Sequence, residues 1–105
     1  MEHELNMALE RERFCSRLAT IPGVRPLPSI GGWILLQVEE PVDLARKLNR
    51  RLAPGMVSVP RHVNGAVRIP VREPKDNEIL FDTVRRVMQV KHARVMVEDG
   101  AVEPF

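Results

Sequence analysis

The chain has 105 residues, close to the commonest size of a single domain, and a domain of this length can enclose one modest hydrophobic core. Hydrophobic residues make up 44% and charged residues 29% of the sequence, a globular composition, and the net charge of +2 is too small to indicate a polyanionic partner by itself. The longest apolar run, WILL, is far too short to cross a membrane and the N-terminal segment is too charged for a signal peptide, so we expect a cytoplasmic protein.

The first predicted element is a helix that ends at Pro22 and Gly23. Its apolar residues repeat at the spacing of one helical face and are Leu5, Leu9, Phe14, Leu18 and Ile21. A short strand follows, and residues 32–38 then form a second strand that is apolar at every position except Gln37. We expect this second strand to be central and covered on both faces, with Trp33 in the core.

The second predicted helix begins at Pro41 and ends near Pro54 and Gly55. Its buried stripe consists of Leu44, Leu48 and Leu52. Basic residues lie around the remainder of its surface and are Arg46, Lys47, Arg50 and Arg51. A solvated helix face explains these residues better than nucleic-acid binding does, because the one aromatic residue of the predicted sheet, Trp33, is expected in the core and not free to stack on bases.

A tight hairpin is predicted at Asn64 and Gly65, a dipeptide typical of type I′ turns. The flanking strands carry alternating apolar residues, which are Val57 and Val59 before the turn and Val67, Ile69 and Val71 after it. Because successive strand residues point to opposite faces, Arg68, Pro70 and Arg72 lie on the face opposite to this core-facing set.

The last predicted helix begins at Pro74, whose fixed φ suits a first helical position, and Asp76 and Glu78 complement the helix dipole. Its inner face consists of Leu80, Val84, Val87 and Met88. Residues 92–105 form a separate tail, either an extra edge strand or a frayed terminus. For residues 1–91 we predict an α+β domain, a small mixed or antiparallel sheet with helices packed on it.

No group of residues in the sequence indicates metal or nucleophilic chemistry. The histidines, His3, His62 and His92, stand without other ligands at the spacing of a metal site. The serines lack a nucleophile elbow, and there is no glycine-rich phosphate loop. Cys15 is the single cysteine, so it cannot form an internal disulfide, and its place in the first helix favours a core role over a reactive one.

The order of these segments resembles the C-terminal small domain of class I/II pyridoxal-phosphate-dependent aminotransferases, the histidinol-phosphate aminotransferase branch in particular. Residues 64–88, NGAVRIPVREPKDNEILFDTVRRVM, resemble the family's LRI(T/S)VG strand, its TPEEN run and the helix that follows. Residues 11–38 resemble the family's helix, PG turn, PS step and NFLLL strand, and residues 42–60 resemble its LAxxLxxxGVLV helix and strand. The resemblance covers residues 10–90 and implies the fold of that small domain.

The resemblance also assigns a site residue. Arg68 matches the arginine that binds the α-carboxylate of the substrate through a bidentate pair. The family's cofactor lysine belongs to a large domain absent from this sequence, and Lys47, Lys75 and Lys91 do not match it. The resemblance therefore implies pyridoxal phosphate as the family's cofactor but predicts that this chain alone neither binds it nor transaminates.

Three places depart from the family pattern. Pro70 replaces a small hydroxyl residue, Arg72 replaces a small residue, and residues 31–33, GGW, replace ANF, so the substrate is not defined. Arg68 and Arg72 are separated by about 13 Å along one strand at 3.3 Å per residue, so both cannot bind one carboxylate.

Two functions remain open at this point. The preferred one is an aminotransferase-related fragment or split subunit that contributes Arg68 to a large-domain partner. The alternative is a non-catalytic binding or assembly module that retains the fold, and nucleic-acid binding ranks a distant third. We expect a homo-oligomer or a dedicated partner, through a surface that includes Leu5, Met7, Leu9 and an edge at residues 95–97. Met1 and the unmatched tail favour a natural short product over an excerpt.

Overall fold

The computed structural model describes the backbone of residues 2–28 and 31–98, and side chains over 6–28 and 31–90. In chain order its elements are α1 (Glu2–Leu18), β1 (Arg25–Leu27), β2 (Trp33–Gln37), α2 (Pro41–Arg51), β3 (Ala66–Pro70) and α3 (Pro74–Glu98). The α+β prediction is confirmed, and α2 and α3 both begin at the predicted prolines. Within the described helices, no stretch combines the length and the apolarity that crossing a bilayer requires.

The three strands form an antiparallel sheet in the order β1-β2-β3, so β2 is central as predicted. Leu35 of β2 lies opposite Arg68 of β3 and opposite Leu27 of β1. Backbone hydrogen bonds at the ends of the β2-β3 pair join Val38 to Gly65 and Val71 to Gly32. Bonded and non-bonded pairs alternate in an antiparallel ladder, so the even-numbered residues of β2 bond to β3 and its odd-numbered residues bond to β1.

The core lies between one face of this sheet and the helices. Its largest side chains come from all three helices, β2 and β3 and are Phe14, Leu18, Ile34, Leu36, Leu44, Leu48, Val67, Ile69, Leu80, Phe81, Val84 and Val87. The helix stripes predicted from periodicity are therefore the ones that pack together. Three described residues predicted to lie on such stripes are less buried, since Leu52 and Met88 are half-buried and Leu9 is exposed.

The opposite side of the sheet, predicted to be covered, is covered only in part, because Ala66 and Pro70 are buried there while Trp33 and Arg68 are exposed. Trp33 is 43% exposed and Leu35 is half-buried, so the placement of Trp33 in the core is wrong. The reason is that the helical core residues pack with Ile34 and Leu36, which point to the other face. We call the surface formed by Trp33, Leu35, Gln37 and Arg68 the open face.

The predicted tight hairpin is also wrong. Gly65 has a φ of 73°, but Asn64 does not have the positive φ that a type I′ turn requires. The segment before the turn meets β3 only at an isolated bridge between Ser58 and Arg68. The Asn49 side chain, on α2, binds both backbone groups of Val57, which anchors this segment to α2 and leaves a wide loop in place of a hairpin.

The sequence allows two alternatives for the tail, an extra edge strand or a frayed terminus, but over residues 92–98 the structure has neither strand nor separate tail, because α3 continues through them. Extending an existing helix gains one hydrogen bond for each residue that is fixed, whereas starting a strand needs a partner edge. Residues 99–105 lie outside the described part of the chain.

Candidate functional site

Arg68 is the middle residue of β3, and its backbone is held from both sides. Its N–H donates to the Ser58 carbonyl oxygen at 2.7 Å, and its own carbonyl accepts from the Ser58 N–H at 3.1 Å. Because both groups are directed at Ser58, the pair that Arg68 forms with Leu35 is a non-hydrogen-bonded pair, the closer of the two kinds. The ladder therefore fixes the point on the open face from which the Arg68 side chain starts.

The guanidinium of Arg68 lies over the ring of Trp33. Its Cζ is 4.4 Å from the ring centroid, within the range of a cation–π interaction. Within the described side chains, no carboxylate lies at ion-pair distance from Arg68. Carboxylates do hold other arginines, which are Arg13, Arg17, Arg46, Arg85 and Arg86. Arg68 is thus exposed and stacked, with its hydrogen-bond donors not committed to an acidic residue.

Pro70 and Arg72, two of the departures from the family pattern, both line a small pocket beside Leu52, but they differ in burial. Pro70 is buried and pairs with Trp33. The exposed Arg72 lies after the strand, beside a groove of about 410 Å³ between the start of α1 and the start of α3. The structure therefore places Arg72 beyond the strand end, away from the pair formed by Arg68 and Trp33.

A polar cluster next to Arg72 was not predicted from the sequence. Asn77 is only 1% exposed and forms three hydrogen bonds of 2.8 Å, two with the backbone of Arg72 and one to Oε2 of Glu10. The spacing of the sequence could have indicated that Asn77 is buried, because Asn77 falls on the same helical face as Leu80 and Val84. A polar residue at a core position must find partners, and here it finds them in the connection that follows β3.

Ion pairs also join α1 to α3. Glu78 accepts hydrogen bonds from Arg17 at 2.7 Å and from Arg13 at 3.1 Å, so it does more than complement the helix dipole. These two arginines hold the pKa of the Glu78 carboxyl below its ordinary value. The hydrogen bond from Arg13 is the largest influence on the pKa of Glu10 and lowers it. Burial, the next largest, raises this pKa, and a hydrogen bond from Asn77 lowers it further, so that the net shift is downward.

The other residues considered from the sequence do not form a site. Lys47 is ion-paired with Asp43 at 3.0 Å, and Lys75 is exposed. His62 is exposed, and among the described residues no three potential metal ligands come together. Cys15 is half-buried against the core, and burial raises the pKa of its thiol, as expected for a packing role. The side chains of Lys91, His3 and His92 lie outside the described ones.

Comparison with known proteins gives two kinds of match. Histidinol-phosphate aminotransferases 1 and 2 of Arabidopsis thaliana, both chloroplastic, are 34% identical to this chain over an alignment of 82 residues. The matches cover 73% of the chain and 19% of each enzyme. The crystal structure of histidinol-phosphate aminotransferase from Sinorhizobium meliloti in complex with pyridoxal-5'-phosphate matches 82% of the chain and 24% of the enzyme, with a TM-score of 0.63 and 21% identity.

The structural match shows that the two proteins share this fold, and the sequence matches confirm the aminotransferase resemblance. No family model matches the chain. The chain spans about a fifth of the length of the curated relatives.

Proposed function

We propose, from the similarity of most of this chain to part of the histidinol-phosphate aminotransferases, that it is an aminotransferase-related small domain whose Arg68 binds a substrate carboxylate. The cofactor and its lysine would come from a large domain that acts with it. The observation that supports this most directly is the state of Arg68. Its guanidinium is exposed on the open face and, among the described residues, has no acidic partner.

The chemistry of an arginine suits this role. A guanidinium presents its N–H donors in a planar fork that matches the two oxygens of a carboxylate. An arginine already bound to Asp or Glu would have to break that pair first. Because Arg68 lies over Trp33, it retains its donors for a ligand carboxylate, and it stands on a strand whose backbone is fixed by Ser58.

The two lysines whose side chains the structure describes, Lys47 and Lys75, do not fit the family's cofactor. Pyridoxal phosphate, when bound, acts as an electron sink that stabilises a carbanion, and it is held through a lysine amine. A lysine suited to that role needs a desolvated setting that lowers its pKa. Lys47 instead pairs with Asp43, and Lys75 is exposed, so we assign no cofactor contact to either residue.

A second candidate is a binding or assembly module that retains the fold without the chemistry. Arg72 favours this candidate, because a long cation stands where the family has a small residue, beside a groove that also exposes Leu9. Nucleic-acid binding has less support. Asp43 binds both Arg46 and Lys47, which neutralises part of the basic surface of α2.

The two candidates differ in what Arg68 does. We would titrate the wild-type chain, Arg68→Ala and Arg68→Lys with L-glutamate at constant ionic strength, following backbone amide resonances of β2 and β3. We expect saturable shifts around Arg68 in the wild type, loss in Arg68→Ala and poor rescue by Arg68→Lys, because lysine lacks the planar fork. Circular dichroism should show the same fold for all three, since exposed substitutions usually cost within about 0.5 kcal/mol. Equal responses, or no response from the wild type, would leave only the binding module.

A further inference from the structure

Trp33 is the single tryptophan of the chain, and it is 43% exposed. A large aromatic side chain outside the core is more informative than an exposed aliphatic one, because it forgoes the burial that its size would allow. The ring of Trp33 contacts one charged group among the described residues, the guanidinium of Arg68.

The sheet places these two side chains together through its backbone. Trp33 lies opposite Pro70 and Arg68 lies opposite Leu35, so Trp33 and Arg68 are diagonal neighbours on the open face. The Val71 N–H donates to the Gly32 carbonyl at 2.9 Å, which ties the start of β2 to the end of β3 beside the ring. Pro70, the register partner of Trp33, carries neither a charge nor an N–H, so it adds no second anion-binding group beside Arg68.

We propose that Trp33 is the positioning residue of the Arg68 carboxylate site, an inference that rests on the function proposed above. The ring covers one face of the guanidinium and limits the orientations of a long side chain that would otherwise sample many rotamers. A guanidinium over a ring uses its face for that contact, so the N–H donors at its edge stay available to a carboxylate. Trp33 thus prepares Arg68 for binding without touching the ligand.

The test compares L-glutamate binding by the wild type, Trp33→Phe, Trp33→Leu and Arg68→Ala. Val42→Ala serves as the control, because Val42 is 70% exposed and lies on α2. We expect about two- to fivefold weaker binding in Trp33→Leu, the range of an exposed cation–π contact, a smaller loss in Trp33→Phe, and no change in Val42→Ala.

Two spectroscopic signals report on orientation itself. The Nε–Hε resonance of Arg68 should show a ring-current shift in the wild type that Trp33→Leu removes. Since Trp33 is the single tryptophan, its fluorescence reports this site alone, and glutamate should change it in the wild type but not in Arg68→Ala. A wild-type Arg68 resonance without a ring-current shift, or a fluorescence that glutamate leaves unchanged, would contradict the contact on which the positioning role depends.

The outcomes separate the two proposals. If Arg68→Ala abolishes glutamate binding while Trp33→Leu and Trp33→Phe bind as the wild type does, the positioning role is overturned and the proposed function stands. If Arg68→Ala binds glutamate as well as the wild type, the proposed function fails and the positioning role fails with it. Trp33→Phe keeps an aromatic ring in the sheet, so the comparison holds even if Trp33→Leu does not fold.

Discussion

The side-chain amide of Asn77 binds both backbone groups of Arg72. Its Oδ1 accepts from the Arg72 N–H at 2.8 Å, and its Nδ2 donates to the Arg72 carbonyl at the same distance. A further bond from Nδ2 reaches Glu10 on α1. The first turn of α3 therefore holds the chain where it leaves β3 and links that point to α1.

Replacement of this amide should be costly. In Asn77→Ala the Arg72 backbone groups and the Glu10 carboxylate lose a buried partner, and we expect the free energy of unfolding to fall by about 1–3 kcal/mol. Urea denaturation would measure the loss. Asn6→Ala is the matched control, since Asn6 is exposed, and it should change stability by less than about 0.5 kcal/mol. Similar values for the two variants would show that the Asn77 contacts do not stabilise the fold.

The ion pairs of Glu78 predict a pH dependence. Its pKa is lowered in the folded chain, so its contribution to stability is complete above the unfolded pKa, about 4.3 for a glutamate, and is lost as the pH falls through the folded pKa. Glu78→Gln should therefore have a lower melting temperature than the wild type at pH 7, and the difference should shrink towards pH 3. Glu12→Gln, at an exposed residue of α1, should melt like the wild type at pH 7. A difference between wild type and Glu78→Gln that does not vary with pH would contradict this assignment.

The central strand should be sensitive to truncation on its core side. Leu36 is fully buried, and Leu36→Ala is expected to lower the free energy of unfolding by about 2–5 kcal/mol through lost burial and the cavity it leaves. Val42→Ala, at a 70% exposed position, should lower it by less than about 0.5 kcal/mol. Calorimetry of both variants would test the contrast, and a small loss in Leu36→Ala would mean that β2 is not packed as described.

The chain by itself should not attach pyridoxal phosphate to one particular lysine. Lys47 is held by Asp43 and Lys75 is exposed, whereas a cofactor lysine needs a setting shielded from water. Borohydride reduction followed by peptide mass spectrometry would detect attachment. A stoichiometric adduct at one lysine that survives dialysis would refute this expectation.

The sequence predicted those features that depend on local chemistry. Pro41 and Pro74 marked the helix starts, and periodicity identified the stripe that contains Leu44 and Leu48. The sequence did not predict which face of the sheet the helices would cover. Strand β2 is apolar on both faces, and the periodicity of a strand carries no information about the elements that pack against it. Trp33 was misplaced for that reason.

Features that arise from contacts between distant residues were missed as well. Residues 64–65 favour a tight hairpin, but the hairpin does not form, because the side chain of Asn49 binds the backbone N–H and carbonyl of Val57. The sequence predicted the face of the sheet on which Arg68 lies. It did not predict the contact between Arg68 and Trp33. That contact depends on the register between β2 and β3, which neither segment specifies alone.

The edge strand β1 has a consequence for how this fold meets other chains. The odd-numbered residues of β2 bond to β1, so the backbone groups of Arg25 and Leu27 point inward and the Pro26 position points outward. Proline has no N–H there, and by the same alternation Pro28 removes the next outward donor. Strand-by-strand growth of the sheet into a fibril is therefore blocked at this edge. Recognition of β1 by a passing extended peptide is disfavoured for the same reason.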